Sequence, residues 1–211
     1  MTFLIDWEII KFIKMKKLIL IGAGGHAKSC LEIIRQNKNF KIIGFIDNKK
    51  IKKFENLKIL GSDKILKDIK KTYAFITIGQ IKNFSTRWRI YKKLKRLKFK
   101  IPRFISKNSF VSKKNFIGIG TIVLQNAVLN RDTHIGENCI INSKALIEHG
   151  VKIENNTHIS TGAIINGDVQ IGSNTFIGSG AIIKEGVRIG NNCLVSMGSI
   201  LKKNLKDYEK F

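Results

Sequence analysis

From Ile105 onward the chain sets an aliphatic residue at every sixth position. The series runs Ile105, Val111, Ile117, Val123, Leu129, Ile135, Ile141, Ile147 and on without a slip to Ile189, Val195 and Leu201, seventeen positions in all. Two residues ahead of each, from Ser109 on, stands a compact Ser, Asn, Thr, Ala, Cys or Val. Glycine often follows the aliphatic, as at Gly118, Gly136, Gly172, Gly178 and Gly190. A helix cannot use a six-residue period, and an ordinary strand repeats every two. One large and one small inward side chain per six residues fits short strands joined by sharp corners. Three such units make a triangular coil of about 18 residues, and coils stack at about 4.8 Å, the strand spacing. Gly and Asn at the corners tolerate positive φ. Seventeen units predict between five and six coils.

The first part of the chain follows a different rhythm. Lys17 to Gly22 reads as a buried strand and Ala27 to Gln36 as a helix. Lys41 to Asp47 (KIIGFID) is a second strand and Tyr73 to Gly79 (YAFITIG) a third, with Ser62 to Lys71 between them. A basic helix follows over Thr86 to Leu97. Strand, helix, strand, helix, strand predicts a small parallel sheet, half of a doubly wound dinucleotide fold. The stretch LILIGAGGHAKS, Leu18 to Ser29, runs from strand through a glycine-rich turn into the helix. Free N–H groups at such a helix start bind phosphate.

The expected organisation is therefore an extension over 1–14, a Rossmann-like half domain over 15–100 and a β-helix over 101–211. The extension, MTFLIDWEIIKFIK, is apolar but carries Asp6 and Glu8 and is too short to span a bilayer. It reads as an upstream extension or a loose surface helix, with Met15 as an alternative start, and no membrane association is expected. A cytoplasmic location follows as an expectation.

Composition changes the picture little. The 43% hydrophobic content fits a globular chain, and the formal charge of +24 favours anionic partners. The lysines are spread along the chain without a nucleic-acid-binding motif, so phosphorylated metabolites suit that charge better than nucleic acid. Cys139 and Cys193 occupy the compact inward position three coils apart, about 14 Å at the strand spacing and too far to bond. They and Cys30 are expected to fill core space. The four histidines are His26, His134, His149 and His158. The last three are not 18 residues apart, so they do not stack into a three-His zinc site, and no metal is expected.

The stretch INSKALIEHGVKIENNTHISTGAIINGDVQIG, Ile141 to Gly172, together with KKLILIGAGGHAKS and KIIGFIDN, resembles a bacterial NeuD/PglD-like family. That family holds sialic acid O-acetyltransferases and UDP-4-amino-sugar N-acetyltransferases within the hexapeptide-repeat acyltransferases. The resemblance covers nearly everything from Met15 to about Asn204. It implies a left-handed parallel β-helix, acetyl-CoA as acetyl donor, and homotrimers with active sites between subunits. The general base falls on His149 and a second histidine near the thioester on His158. Backbone contacts to coenzyme A fall near Gly167, Gly178 and Met197. The sugar nucleotide falls along Gly24, Gly25 and His26, then Asp47 and Asn48, then Gly79.

The chemistry suits those residues. A sugar amine loses a proton as it attacks a thioester, and imidazole can accept it near neutral pH. The tetrahedral oxyanion needs N–H donors, which corner amides and His158 could offer. No exposed cysteine stands ready as an acyl carrier, which favours direct transfer. In two places the sequence departs from the family pattern. Gly150 stands where the family has Asp or Glu after the basic histidine, leaving Glu148, Glu154 and Asp132 as candidate partners. The stretch LKKNLKDYEKF lacks the family's Gly-x-Pro-Ala ending. The reading is an acetyl-CoA-dependent N-acetyltransferase of a nucleotide-linked, UDP-type 4-amino sugar in glycan synthesis. Its rivals are O-acetylation of a sialic-acid-like nonulosonate, an NAD-dependent oxidoreductase, and a catalytically degenerate binding module.

Overall fold

The computed structural model describes residues 15–49, 51–70, 72–80 and 84–211. The extension inferred for 1–14 lies outside them. The chain opens with strand β1 (Lys16–Ile21), helix α1 (Gly25–Arg35) and strand β2 (Phe40–Ile46). A hairpin follows, β3 (Lys53–Phe54) and β4 (Leu57–Gly61), then a 3-10 helix (Asp63–Lys67), β5 (Tyr73–Ile76) and α2 (Ser85–Arg96). The sheet order is β3-β4-β2-β1-β5, parallel except for the β3–β4 hairpin.

Residues Leu18 to Ile21 of β1 are fully buried because both faces of the sheet are covered. Alternate residues serve opposite faces. Leu18 and Leu20 meet Ala27, Cys30, Leu31 and Ile34 of α1, whereas Ile19 and Ile21 meet Ile90, Tyr91 and Leu94 of α2. Both helices bury residues at the three-and-four spacing of an amphipathic stripe. The structure departs from expectation at two points. Within 62–70 the connection forms only the 3-10 helix Asp63–Lys67, with Leu66 as its buried residue, too little apolar surface to hold a longer helix. The third strand stops at Ile76, and Thr77 leaves the sheet because its hydroxyl donates to the Ile21 and Gly22 carbonyls at 3.0 and 2.6 Å.

The six-residue clock becomes seventeen two-residue strands, from Phe104–Ile105 to Ile200–Leu201, stacked as three parallel sheets of a left-handed β-helix. In each strand the second residue points inward. Val123, Leu129, Ile135 and their successors form one column-like core with the compact Ala127, Cys139, Ala145 and Cys193 between them. Full burial of one such aliphatic stabilises by about 2 kcal/mol, so the stack is held by many modest and equal contributions. Asn126, Asn138, Asn156, Asn174 and Asn192 hold positive φ at corners, as does Gly150. Residues beyond the last strand extend the coil: Leu205 bridges to Ile189 and Lys210 to Leu194.

The first residue of each strand points outward and gives the three faces different characters. The first face carries Phe104, Ile122, Ile140, His158 and Phe176, buried beneath the α/β part. The second carries Phe110, Val128, Leu146, Ile164, Ile182 and Ile200, half-buried to exposed with nothing among the described residues packed over them. The third carries Phe116, His134, Lys152, Gln170 and Arg188, open to solvent. Among the described residues no helix is long and apolar enough to cross a membrane.

Arg87 joins the two parts. Its guanidinium is fully buried and donates to four carbonyls, those of Ile76 and Ile78 at 2.8 Å and of Asn138 and Gly120 at 3.3 Å. The end of β5 is thereby tied to the first coils. Gln80 Nε2 adds a bond to the Asn156 carbonyl at 2.7 Å, and Tyr91 donates to Glu137 at 2.7 Å. Arg87→Leu strands four buried acceptors, and chemical denaturation is expected to show a loss of about 3 kcal/mol or more. A loss under about 1 kcal/mol would mean that the joint does not depend on this cation.

Candidate active site

The order of the sheet reverses between β1 and β5, which lie side by side although α1, β2 and the hairpin separate them in sequence. Strand order of this kind opens a crevice at the carboxyl ends of the strands. A cavity of about 610 Å³ lies there, within the range of small-molecule sites. Its floor is the glycine loop Gly22 to His26, its sides are Asp47 to Lys49 and Thr77 to Gln80, and its far wall is Asn142, His158 and Ser160 of the coils. Gly22 has φ +104° and packs so closely on Ile78 that a side chain there would collide. Gly24 and Gly25 face open space. The N-terminus of α1 has no side-chain cap and no acidic residue in its first turn. Such an end presents bare N–H groups and the positive end of the helix dipole to an anion.

Asp47 braces the loop. One carboxylate oxygen accepts from the Ala23 N–H at 2.6 Å and the other from the Lys49 N–H at 2.8 Å. Asn48 accepts from the Asp63 N–H at 3.3 Å, and Gly79 leaves the room that the His26 ring occupies. His26 Nε2 is buried without a hydrogen-bond partner among the described residues, so a polar group entering the cavity finds that atom unsatisfied. His158 lies 6.4 Å from it between ring centroids. The Gln80 carbonyl, 2.5 Å from His158 Nδ1, fixes the proton on that nitrogen, and Nε2 accepts from the Asn142 amide at 3.3 Å. A neutral ring held this way has no further N–H to offer.

Burial is the main cause that lowers His26 to about 3 and His158 to about 4, with the Arg87 charge adding to both. The hydrogen bond to Gln80 opposes that fall at His158. Both rings are therefore neutral at pH 7.

The remaining residues singled out in the sequence lie on two corners of the β-helix, outside this cavity. His149 is exposed between the second and third faces, its ring lying over Gly167 one coil on, where a Cβ would come within 2.7 Å. Glu148 stands beside it, and its carboxylate accepts from Asn130 at 2.9 Å. Gly178 and Met197 sit on the corner between the first and second faces, where Gly178 lets the backbone of Ser196 and Met197 approach. Met197 is exposed. The structure thus gathers Gly24, Gly25, His26, Asp47, Asn48, Gly79 and His158 in one place. It sets His149, Glu148 and Gly167 on one edge of the second face and Gly178 and Met197 on the other. Thr77, Gln80, Arg87, Asn142 and Ser160 were not singled out in the sequence. Asn142 and Ser160 were findable, since they follow Leu124 in a column spaced by 18 that turns polar where the cavity begins.

Two buried neutral histidines make stability fall with acid. Unfolded imidazole titrates at the ordinary 6.5, so below that pH the unfolded chain binds protons that the folded chain refuses until about 4 and 3. The denaturation midpoint is expected to drop between pH 7.5 and pH 5, and His26→Gln/His158→Gln to flatten that slope. An unchanged slope in the double variant would contradict the burial of neutral rings.

The family model for the PglD N-terminal domain matches residues 17–94. The bacterial transferase hexapeptide model matches 132–167, and that for the hexapeptide repeat of succinyl-transferase matches 168–203. A search of curated proteins gives no match. Among solved structures, the acetyltransferase domain of PglB from Neisseria gonorrhoeae superposes with a TM-score of 0.88. It is 26% identical, and the match covers 92% of this chain and 95% of that one. The same domain in complex with acetyl coenzyme A matches at a TM-score of 0.87 and 26% identity, over 93% and 95% of the two chains. A variant of perosamine N-acetyltransferase from Caulobacter crescentus, in complex with CoA and GDP-perosamine, matches at 0.85 and 25% identity, over 90% of each chain. A PglD N-terminal domain followed by transferase hexapeptide repeats, matched along most of its length by acetyltransferases, makes this chain a sugar acetyltransferase built on hexapeptide repeats.

Proposed function

We propose that the protein transfers acetyl from acetyl-CoA to the amine of a nucleotide-linked 4-amino sugar, a UDP sugar in the first instance, with His149 as general base. The observation that carries the nucleotide-linked acceptor is the cavity at the uncapped start of α1. Bare helix N–H groups and open glycines suit a diphosphate, while the polar wall of Asn142, His158 and Ser160 suits a sugar. The GDP-perosamine complex of the Caulobacter relative gives a second nucleotide to test.

The two edges of the second face come together in a homotrimer. The outward column from Phe110 to Ile200 is an entire face of aliphatic and aromatic side chains that no described residue covers. Three copies packed about an axis with that face inward set the His149 edge of one copy against the Gly178–Met197 edge of the next. The latter edge adjoins the cavity through Asn142 and Ser160, so base, donor groove and acceptor cavity meet between subunits. Closed symmetric assembly of this kind is the usual outcome for soluble oligomers.

The transfer then balances simply. The amine nitrogen attacks the thioester carbonyl as His149 takes one amine proton. Backbone N–H groups at the corners hold the tetrahedral oxyanion. Collapse breaks the carbon–sulfur bond, and the imidazolium returns the proton to the thiolate, leaving an N-acetyl sugar and free coenzyme A.

Thiol release from acetyl-CoA tests the reading with UDP- and GDP-linked 4-amino sugars, the unlinked amino sugar and free sialic acids as acceptors. Release is expected with a nucleotide-linked amine, and His149→Ala is expected to lower kcat by about 100-fold or more. Release only with sialic acids, or an unchanged rate in His149→Ala, would sink it.

A further inference from the structure

The geometry points to Asp168 as the positioning carboxylate of His149, supplied from the next coil rather than from the adjacent residue. The inference rests on the proposal that His149 is the base. An imidazole base gains from a carboxylate that fixes its ring and stabilises the imidazolium as it forms. Position 150 cannot provide one, because it is glycine. Gly150 holds φ +69°, and the Asp168 carboxylate fills the space where a side chain on Gly150 would begin. The two residues are one coil apart, and the Asp168 N–H donates to the His149 carbonyl at 3.0 Å while Gly167 lies beneath the His149 ring. Residues 149–150 and 167–168 are therefore a stacked pair of corners, with the acid on the lower one.

The other charged groups around this corner are accounted for. Glu148 accepts from Asn130 at 2.9 Å, and Asp132 is paired with Arg131 at 3.3 Å on the coil before. Glu154 belongs to the corner between the third and first faces, and Glu185 lies a coil beyond Gly167. The Asp168 carboxylate has no hydrogen bond or ion pair among the described residues. It is exposed, on the edge that the trimer would close over the reacting atoms.

The competing explanation is that Asp168 is there only for its positive φ of 58°, which Asp, Asn and Gly all tolerate. Asp168→Asn and Asp168→Gly keep that backbone and remove the charge. Asp168→Gly also frees the space beneath Gly150, so the pair Gly150→Asp/Asp168→Gly moves the carboxylate back one coil. Steady-state kinetics of the full chain, with His149→Ala measured alongside, separates the possibilities. Both single variants are expected to lose about 10-fold or more in kcat with little change in KM for acetyl-CoA, and the relocated pair to recover most of it. Singles at the parental kcat overturn the inference while leaving the base assignment intact. Loss in the singles without recovery in the relocated pair overturns it as well. A silent His149→Ala overturns the base assignment itself and Asp168 with it.

Discussion

An inward aliphatic side chain at every sixth residue holds this molecule in register, and each functional position takes its place from that count. Coils of 18 residues put Asn142 over Ser160, His149 over Gly167, and Gly150 over Asp168. A shift of one residue in any strand would turn an inward Ile outward and move every corner above it. The core explains more than stability: it is a ruler on which polar residues at corners can be set at fixed heights. The same regularity makes three distinct faces possible, one covered by the α/β part, one apolar and one wet.

The second constraint is the buried cation at the joint. Arg87 satisfies carbonyls of both β5 and the first coils, so the strand ends that form the cavity are fixed relative to the wall that closes it. It also discourages charge on His26 and His158, which helps keep both rings neutral. Neutral imidazoles facing bare helix N–H groups suit a ligand that brings its own negative charge.

The sequence announced the β-helix because period six is incompatible with other regular structure, and the glycine loop announced the first strand–turn–helix unit. The hairpin over Lys53–Gly61 was not legible, since its short strands alternate too briefly to show a period. Arg87 looked like one basic residue of a basic helix; only tertiary contact reveals that its charge is buried. The same holds for His158, whose place in the cavity follows from the α/β part folding onto the first face. The apolar second face was legible in principle: the residue before each inward aliphatic, read at intervals of 18, is apolar throughout the second face, apolar but for His158 on the first and mostly polar on the third. The carboxylate proposed to position His149 was not, because Asp168 is distant in sequence and reaches Gly150 only through coil stacking.

The central claim is that a working site takes its cavity from one copy and His149 from its neighbour, and mixed oligomers test it most directly. His149→Ala removes the base, and Gly25→Glu puts a carboxylate at the start of α1 where the acceptor's phosphates would bind. Each variant alone is inactive on this account. Unfolded together in equal amounts and refolded, they should regain about one quarter of the parental rate, since one site in four pairs an intact cavity with an intact base. No recovery, with mixed oligomers shown to have formed, would place the whole site within one chain and contradict the account.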